Sequence, residues 1–345
     1  MERRRWIDEE TFADFLALAQ LLPGPGSSQI CFLIGLSRAG LRGGIAAWLG
    51  FTLPSAILMT LFAAGLTRVH RELHGLQVAA VAVVAAAVVA MFRRLCPDWQ
   101  RAVIAAAAAV VALVYATPLT QMLLIAAGAG AGVLLLRSNV LAASRAAALP
   151  VTRRASTIAL ACFAVLFMAL RISGPPLVYA LYRTGSLVFG GGHVVLPLLE
   201  QAIVRPGWVS NGDFLAGYGA AQAIPGPLFT FGAFLGFVAR VQPNGPIGAV
   251  LGLLAIFSPG LLLAYGVAPF WGSVRDRSWA RPALSGVNAA VVGLLAATLG
   301  AAARAVVHSP ADAFIALAGF ALLLGTRIPP VLVVLAIAAS EALFL

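Results

Sequence analysis

Two stretches of the chain set backbone donors and hydroxyls where they could hold a small anion. The first is Gln20-Leu21-Leu22-Pro23-Gly24-Pro25-Gly26-Ser27-Ser28-Gln29, and the second is Gln222-Ala223-Ile224-Pro225-Gly226-Pro227-Leu228-Phe229-Thr230-Phe231. In each, an apolar run meets Pro-Gly-Pro and then resumes. The proline rings remove donors and clash with the preceding turn, and glycine costs order, so a helix must break there. The helix that restarts presents unpaired N–H groups and the positive end of its dipole. Gly26, Ser27 and Ser28 add small size and two hydroxyls, a cradle suited to a tetrahedral oxyanion, and Thr230 is the hydroxyl near the second copy. The serines could equally serve only as helix caps. Gln20 and Gln222, each just ahead of a Pro-Gly-Pro, offer uncharged amide contacts.

A third candidate is Gly190-Gly191-Gly192-His193, which opens an apolar run reaching Val204. Three glycines let a ligand approach the backbone, and His193 could donate to an anion or carry a proton. A lone histidine is also a common packing residue. Arg183 lies in the apolar approach to this element, either facing the site or snorkelling to the membrane interface. Glu200 follows His193 by two turns and shares its face by helical spacing, so it is a proton-coupling candidate unless it sits at the membrane edge. His70 and His74 flank Glu72 in a short Arg-containing loop, a context that speaks against a metal. No nucleophile elbow, Walker loop or zinc-protease motif is present, so the expectation is that the chain is not an enzyme and has no metal or other cofactor.

The elements that must position these residues lie in a membrane. The chain of 345 residues is 61% hydrophobic and 10% charged, with mean hydropathy +0.97, far too apolar for a soluble globule. Its apolar runs are continuous rather than alternating, which predicts an all-α integral membrane protein embedded in the lipid bilayer. A net charge of +11 might point to nucleic acid, but the arginines sit between apolar runs as topology signals, and nucleic acid is excluded as a partner. Cys31, Cys96 and Cys162 have neither disulfide nor zinc spacing. The N-terminus lacks the apolar core of a signal peptide.

The predicted order is a half-helix from Phe15 to Leu22, the first break, a half-helix from Ser27 to Leu36, and a short loop bracketed by Arg38 and Arg42. Runs from Gly43 to Leu66, Leu76 to Phe92, Ala102 to Ala116 and Leu119 to Leu136 follow. The Arg-rich stretch 137–157 reads as a linker between a first repeat, 1–136, and a second, 158–345. The second repeat opens with a run from Ile158 to Leu170 of marginal spanning length. A shift of 202 positions matches Trp6 to Trp208, Phe12 to Phe214, Gln20 to Gln222 and one Pro-Gly-Pro to the other; a shift of 205 matches Pro54 to Pro259, and 211 matches Gly75 to Gly286. Arginine bias in the short loops flips between the halves, which predicts an inverted repeat with broken, re-entrant hairpins at Pro-Gly-Pro and Gly-Gly-Gly near the midplane.

At WIDEETFADFLALAQLLPGPGSSQ, LYRTGSLVFGGGHVVLPLLEQAIV, GWVSNGDFLAGYGAAQAIPGPLF and GVNAAVVGLL the sequence resembles the chromate ion transporter family over nearly its whole length. The resemblance implies a multi-pass protein of the bacterial inner membrane that exports chromate on the proton-motive force and gives chromate resistance. The residues by themselves reach an anion transporter, and sulfate, of like shape and charge, stays open as the substrate. A homo-oligomer is compatible with the sequence. Family members carry an apolar segment and a Phe-Gly-Gly-Pro element before the Arg-Arg-Trp region. Here Met1 stands directly before Glu2-Arg3-Arg4-Arg5-Trp6, and the expectation is that translation starts upstream.

Overall fold

The computed structural model describes residues 7–69, 74–115, 117–136, 149–189, 195–272, 277, 279–326 and 328–344. These residues form helices joined by turns. In chain order they are α1 (Glu9–Leu21), α2 (Gly26–Val69), α3 (His74–Leu95), α4 (Trp99–Val114), α5 (Pro118–Leu135), α6 (Arg153–Ser173) and α7 (Pro176–Leu187). There follow α8 (Val195–Leu199), which continues as a π-helical turn over Glu200–Val204, then α9 (Asn211–Ala223), a 3-10 turn (Leu228–Thr230) and α10 (Phe231–Val238). The chain closes with α11 (Gly245–Val267), α12 (Ala280–Val306), α13 (Pro310–Gly325) and α14 (Pro330–Phe344). Five helical stretches, Gly26–Leu66, His74–Leu95, Arg153–Ser173, Gly245–Phe270 and Ala280–Val306, are long and apolar enough to cross a membrane.

Polar residues mark where these apolar helices start. Asp8, Asp98, Thr117, Thr152, Ser210 and Ser309 each stand at an N-cap and accept a backbone N–H from the first turn. Both Pro-Gly-Pro stretches break the helix as expected. Leu22 and Ile224 leave α1 and α9 in extended conformation, and Gly24 (φ +126°) and Gly226 (φ +146°) turn the chain in a region that side chains rarely enter. The short loop expected between Arg38 and Arg42 is present as a tight reversal at Ala39 (φ −143°) and Gly40 (φ 61°), which divides α2 into two segments packed side by side. The positive φ of Gly40 lets the chain turn back there. The helix that follows the Arg-rich stretch begins inside it, at Arg153, because Thr152 supplies the cap. This helix is 21 residues long and so is not marginal.

The offsets found in the sequence carry one half onto the other. A shift of 202 takes α1 onto α9 end to end, and 205 takes Gly40 onto Gly245, whose φ is 60°. Glycines let the paired helices touch. A Cβ at Gly35 would run into the Gly43 carbonyl across the kink of α2, as one at Gly236 would run into the Gly248 carbonyl between α10 and α11.

The two halves exchange their last helices. On α12, Gly286 packs against Gly128 and Gly132 of α5, and Gly293 packs against the Ala105 carbonyl of α4. On the other side α13 and α14 lie on α3, where Gly319 faces Ala82 and Ile337, and His74 Nε2 stands 3.2 Å from Asp312 Oδ1. His74 of the expected histidine pair is thus an ion-pair partner across the halves, while His70 and Glu72 fall outside the described residues. Apolar side chains such as Leu134 (84% exposed) and Ile172 (81%) cover the periphery, a surface that lipid solvates and water does not. Gly286→Val would push a side chain into the Gly128 backbone, and overpacking of this kind costs about 1–3 kcal/mol or more. The expected result is a lower melting temperature in detergent; a wild-type melt would refute this close approach.

Candidate functional site

The first Pro-Gly-Pro turn is held by the second half of the chain. The Gly24 N–H donates to the Val188 carbonyl at 2.7 Å, just after α7 and immediately before the Gly-rich stretch. Gly190, Gly191, Gly192 and His193 themselves lie outside the described residues. On its other side the turn rests on α11 at Pro259-Gly260, where a Cβ on Gly24 would stand 2.7 Å from the Gly260 Cα, and one on Gly260 would stand 2.9 Å from Pro25 Cδ. Gln29 locks the contact. Its Nε2 donates to the Pro23 carbonyl at 2.9 Å and to the Gly260 carbonyl at 3.0 Å, so one fully buried amide ties the turn to the opposite half.

The second turn mirrors this arrangement. Gly226 packs against Ser55, the residue after Pro54 in α2, and a Cβ there would overlap the Ser55 hydroxyl. Since Pro54 and Pro259 are repeat-mates, each broken turn sits on the proline-bearing helix of the other half. Burial differs between them: Gly24 and Pro25 are buried, whereas Pro225 and Gly226 are exposed.

After the first turn, Gln29 N–H bonds the Pro25 carbonyl, so helix geometry leaves the N–H groups of Gly26, Ser27 and Ser28 without intrahelical acceptors. Ser27 is exposed and Ser28 fully buried. Ser28 Oγ and Gln29 Oε1 are buried with no hydrogen-bond partner among the described residues. The second turn is more self-contained. Thr230 donates both its N–H and its hydroxyl to the Pro227 carbonyl, at 3.0 and 2.9 Å, so that hydroxyl proton is committed to its own turn.

The remaining expected residues are spread out. Gln20 is exposed at the end of α1, and Gln222 is half-buried and hydrogen-bonded to Tyr218 one turn earlier. The Arg183 guanidinium lies 6.0 Å from the centre of the Tyr179 ring, with Arg171 at 5.8 Å from the same ring. Tyr179 is one turn nearer the start of α7, so Arg183 reaches away from Val188 and the first turn. Glu200 opens the π-helical turn that follows α8. It lines a cavity of about 160 Å³ with Gln121, Gln201, Arg205, Thr298 and Arg304. Sequence reasoning missed Gln29, whose signal was a buried amide directly after the serine pair. It also missed the other polar residues of this cavity, which come from separate elements and share no local pattern.

The family described as Chromate transporter matches residues 1–133 and 175–342. A chromate transport protein of Pseudomonas aeruginosa is 30% identical over 321 residues, covering 86% of this chain and 73% of that protein. A probable chromate transport protein of Synechococcus elongatus is 27% identical over 361 residues, covering all of this chain and 88% of its own. A chromate transport protein of Cupriavidus metallidurans is 25% identical over 341 residues, with 94% and 80% covered. No solved structure matches the chain.

Proposed function

Because this chain belongs to the chromate transporter family, a family of transporters and not of enzymes, we propose that it carries chromate across a bacterial inner membrane. The direction is outward and the drive is the proton-motive force, so that the cell gains chromate resistance. The observation that supports this most is the reciprocal seating of the two Pro-Gly-Pro turns, Gly24 on Gly260 and Gly226 on Ser55. Paired helix breaks at matching positions of two halves are where transporters bind their substrates.

In this reading the halves, 1–136 and 158–345 joined by 137–157, are inverted repeats, and the oxyanion lies between the two turns. The N–H groups of Gly26, Ser27 and Ser28 and those of Leu228 and Phe229 at the start of the 3-10 turn face it, with Thr230 holding that turn closed. Gly190 to Gly192 allow the anion close to the backbone, His193 and Glu200 move the proton, and Arg183, directed toward Tyr179, acts on the anion only through its charge. Rocking of one half against the other alternates access.

The test is uptake of chromate into everted membrane vesicles from cells expressing the chain. Proton-gradient-dependent uptake is expected, abolished by an uncoupler. If sulfate in excess suppresses it fully and is itself accumulated faster, the substrate is sulfate; no uptake of either anion would refute the transport reading.

A further inference from the structure

The cavity around Glu200 is separate from the Pro-Gly-Pro turns and has a makeup of its own. Four elements build it: α4 and α5, the π-helical turn, and α12. Its charged lining residues are Glu200 from the π turn, Arg205 directly after that turn and Arg304 from α12; α5 adds the neutral Gln121, α12 adds Thr298, and α4 adds apolar side chains only. Neither α7 nor α9, which also pack on the π turn, contributes to the lining. The cavity therefore carries one positive charge when Glu200 is ionised and two when it is protonated.

Three further observations bear on what it holds. Gln121 is buried, and its Nε2 donates to the Pro197 carbonyl at 3.1 Å, which holds the amide at the cavity wall. Gln201 is buried, and its Oε1 has no hydrogen-bond partner among the described residues, so it calls for a donor within the cavity, either a water or a protonated oxygen. The wall bearing Glu200 and Gln201 is a π turn, a geometry that is costly and recurs at functional sites. At ~30 Å³ per water the volume of about 160 Å³ admits several waters, or one small oxyanion with part of its hydration.

We propose that this cavity is a second, proton-linked anion site, which takes one small oxyanion of the sulfate type between Arg205 and Arg304 when Glu200 is protonated. An ionised Glu200 repels the anion and competes for the arginines; a protonated Glu200 does neither. Proton and anion then strengthen each other's binding reciprocally. The site goes beyond the transport reading and stands on binding alone, whichever anion the chain transports.

The experiment is calorimetric titration of the purified full chain in detergent with sodium sulfate at acid and alkaline pH. Wild type is expected to bind at least about ten-fold more tightly at acid pH, the scale of one charge-assisted interaction gained. Glu200→Gln should bind at alkaline pH as wild type does at acid pH, with the pH dependence gone. Arg304→Gln should weaken binding about ten-fold or more at both. Ser28→Ala, at the first turn, should leave the pH-dependent event intact. Wild-type pH dependence in Glu200→Gln, wild-type affinity in Arg304→Gln, or no sulfate binding by folded wild type would each overturn the proposal. Chromate uptake in vesicles is read separately, so failure here leaves the transport reading to its own test. Should Arg304→Gln melt early, Glu200→Gln alone still decides, because it removes a charge without removing volume.

Discussion

Gly24→Ala should reduce chromate extrusion to background while the protein still reaches the membrane. The residue sits at φ +126°, where a side chain is strained by about 1–3 kcal/mol, and its new Cβ would stand 2.7 Å from the Gly260 Cα. That obstacle is backbone, so no rotamer can relieve it, and overpacking adds about 1–3 kcal/mol. The turn must move, and with it the 2.7 Å bond from Gly24 N–H to the Val188 carbonyl. Gly226→Ala meets a different obstacle, the Ser55 hydroxyl, which is the end of a side chain. Pairing Gly226→Ala with Ser55→Gly should therefore restore part of the activity, whereas shrinking a neighbouring side chain should not rescue Gly24→Ala. The measurement is chromate accumulated in expressing cells, normalised to membrane-inserted protein by immunoblot. Normal extrusion by Gly24→Ala would remove the first turn from the substrate path.

Gln29→Leu is expected to cost both fold and transport. It removes the amide that bonds the Pro23 and Gly260 carbonyls, two hydrogen bonds worth about 0.5–1.5 kcal/mol each. A loss of that size is a large part of the stability of about 5–15 kcal/mol typical of a folded chain. Ser28→Ala should behave in the opposite way. Its hydroxyl has no partner among the described residues, so the melting temperature should stay within a degree or two of wild type, while the substrate concentration for half-maximal uptake rises about three- to ten-fold. Detergent melts beside vesicle uptake across chromate concentrations check both variants. A destabilised Ser28→Ala with unchanged uptake would make the hydroxyl structural.

Much of this architecture was legible in the chain. Pro23, Pro25, Pro225 and Pro227 announce helix breaks because a proline ring cannot donate or fit inside a helix, and both breaks are present. The apolar runs gave the helices to within a few residues, since length and continuity need no knowledge of the partners. The turn at Ala39-Gly40 is legible too, because the flanking arginines interrupt the apolar run there and a glycine of positive φ makes the reversal. The polar cavity was hidden. Gln121, Glu200, Thr298 and Arg304 are far apart in sequence, and only the exchange of helices between the halves brings them to one wall.

The exchange of helices also sets a timetable for how the protein is made. The Gly128 and Gly132 face of α5 is completed only by Gly286 of α12, and Gly293 on that same helix receives α4. Roughly 150 residues lie between the two sides of this contact, so at about 5–20 residues per second the ribosome takes on the order of ten seconds or longer to supply the second side. During that interval α4 and α5 are inserted with their small-residue stripe facing lipid or the insertion machinery. Neither half can be finished before the other, so a nascent chain stalled before α12 would present quality-control proteases with an open groove rather than a folded half.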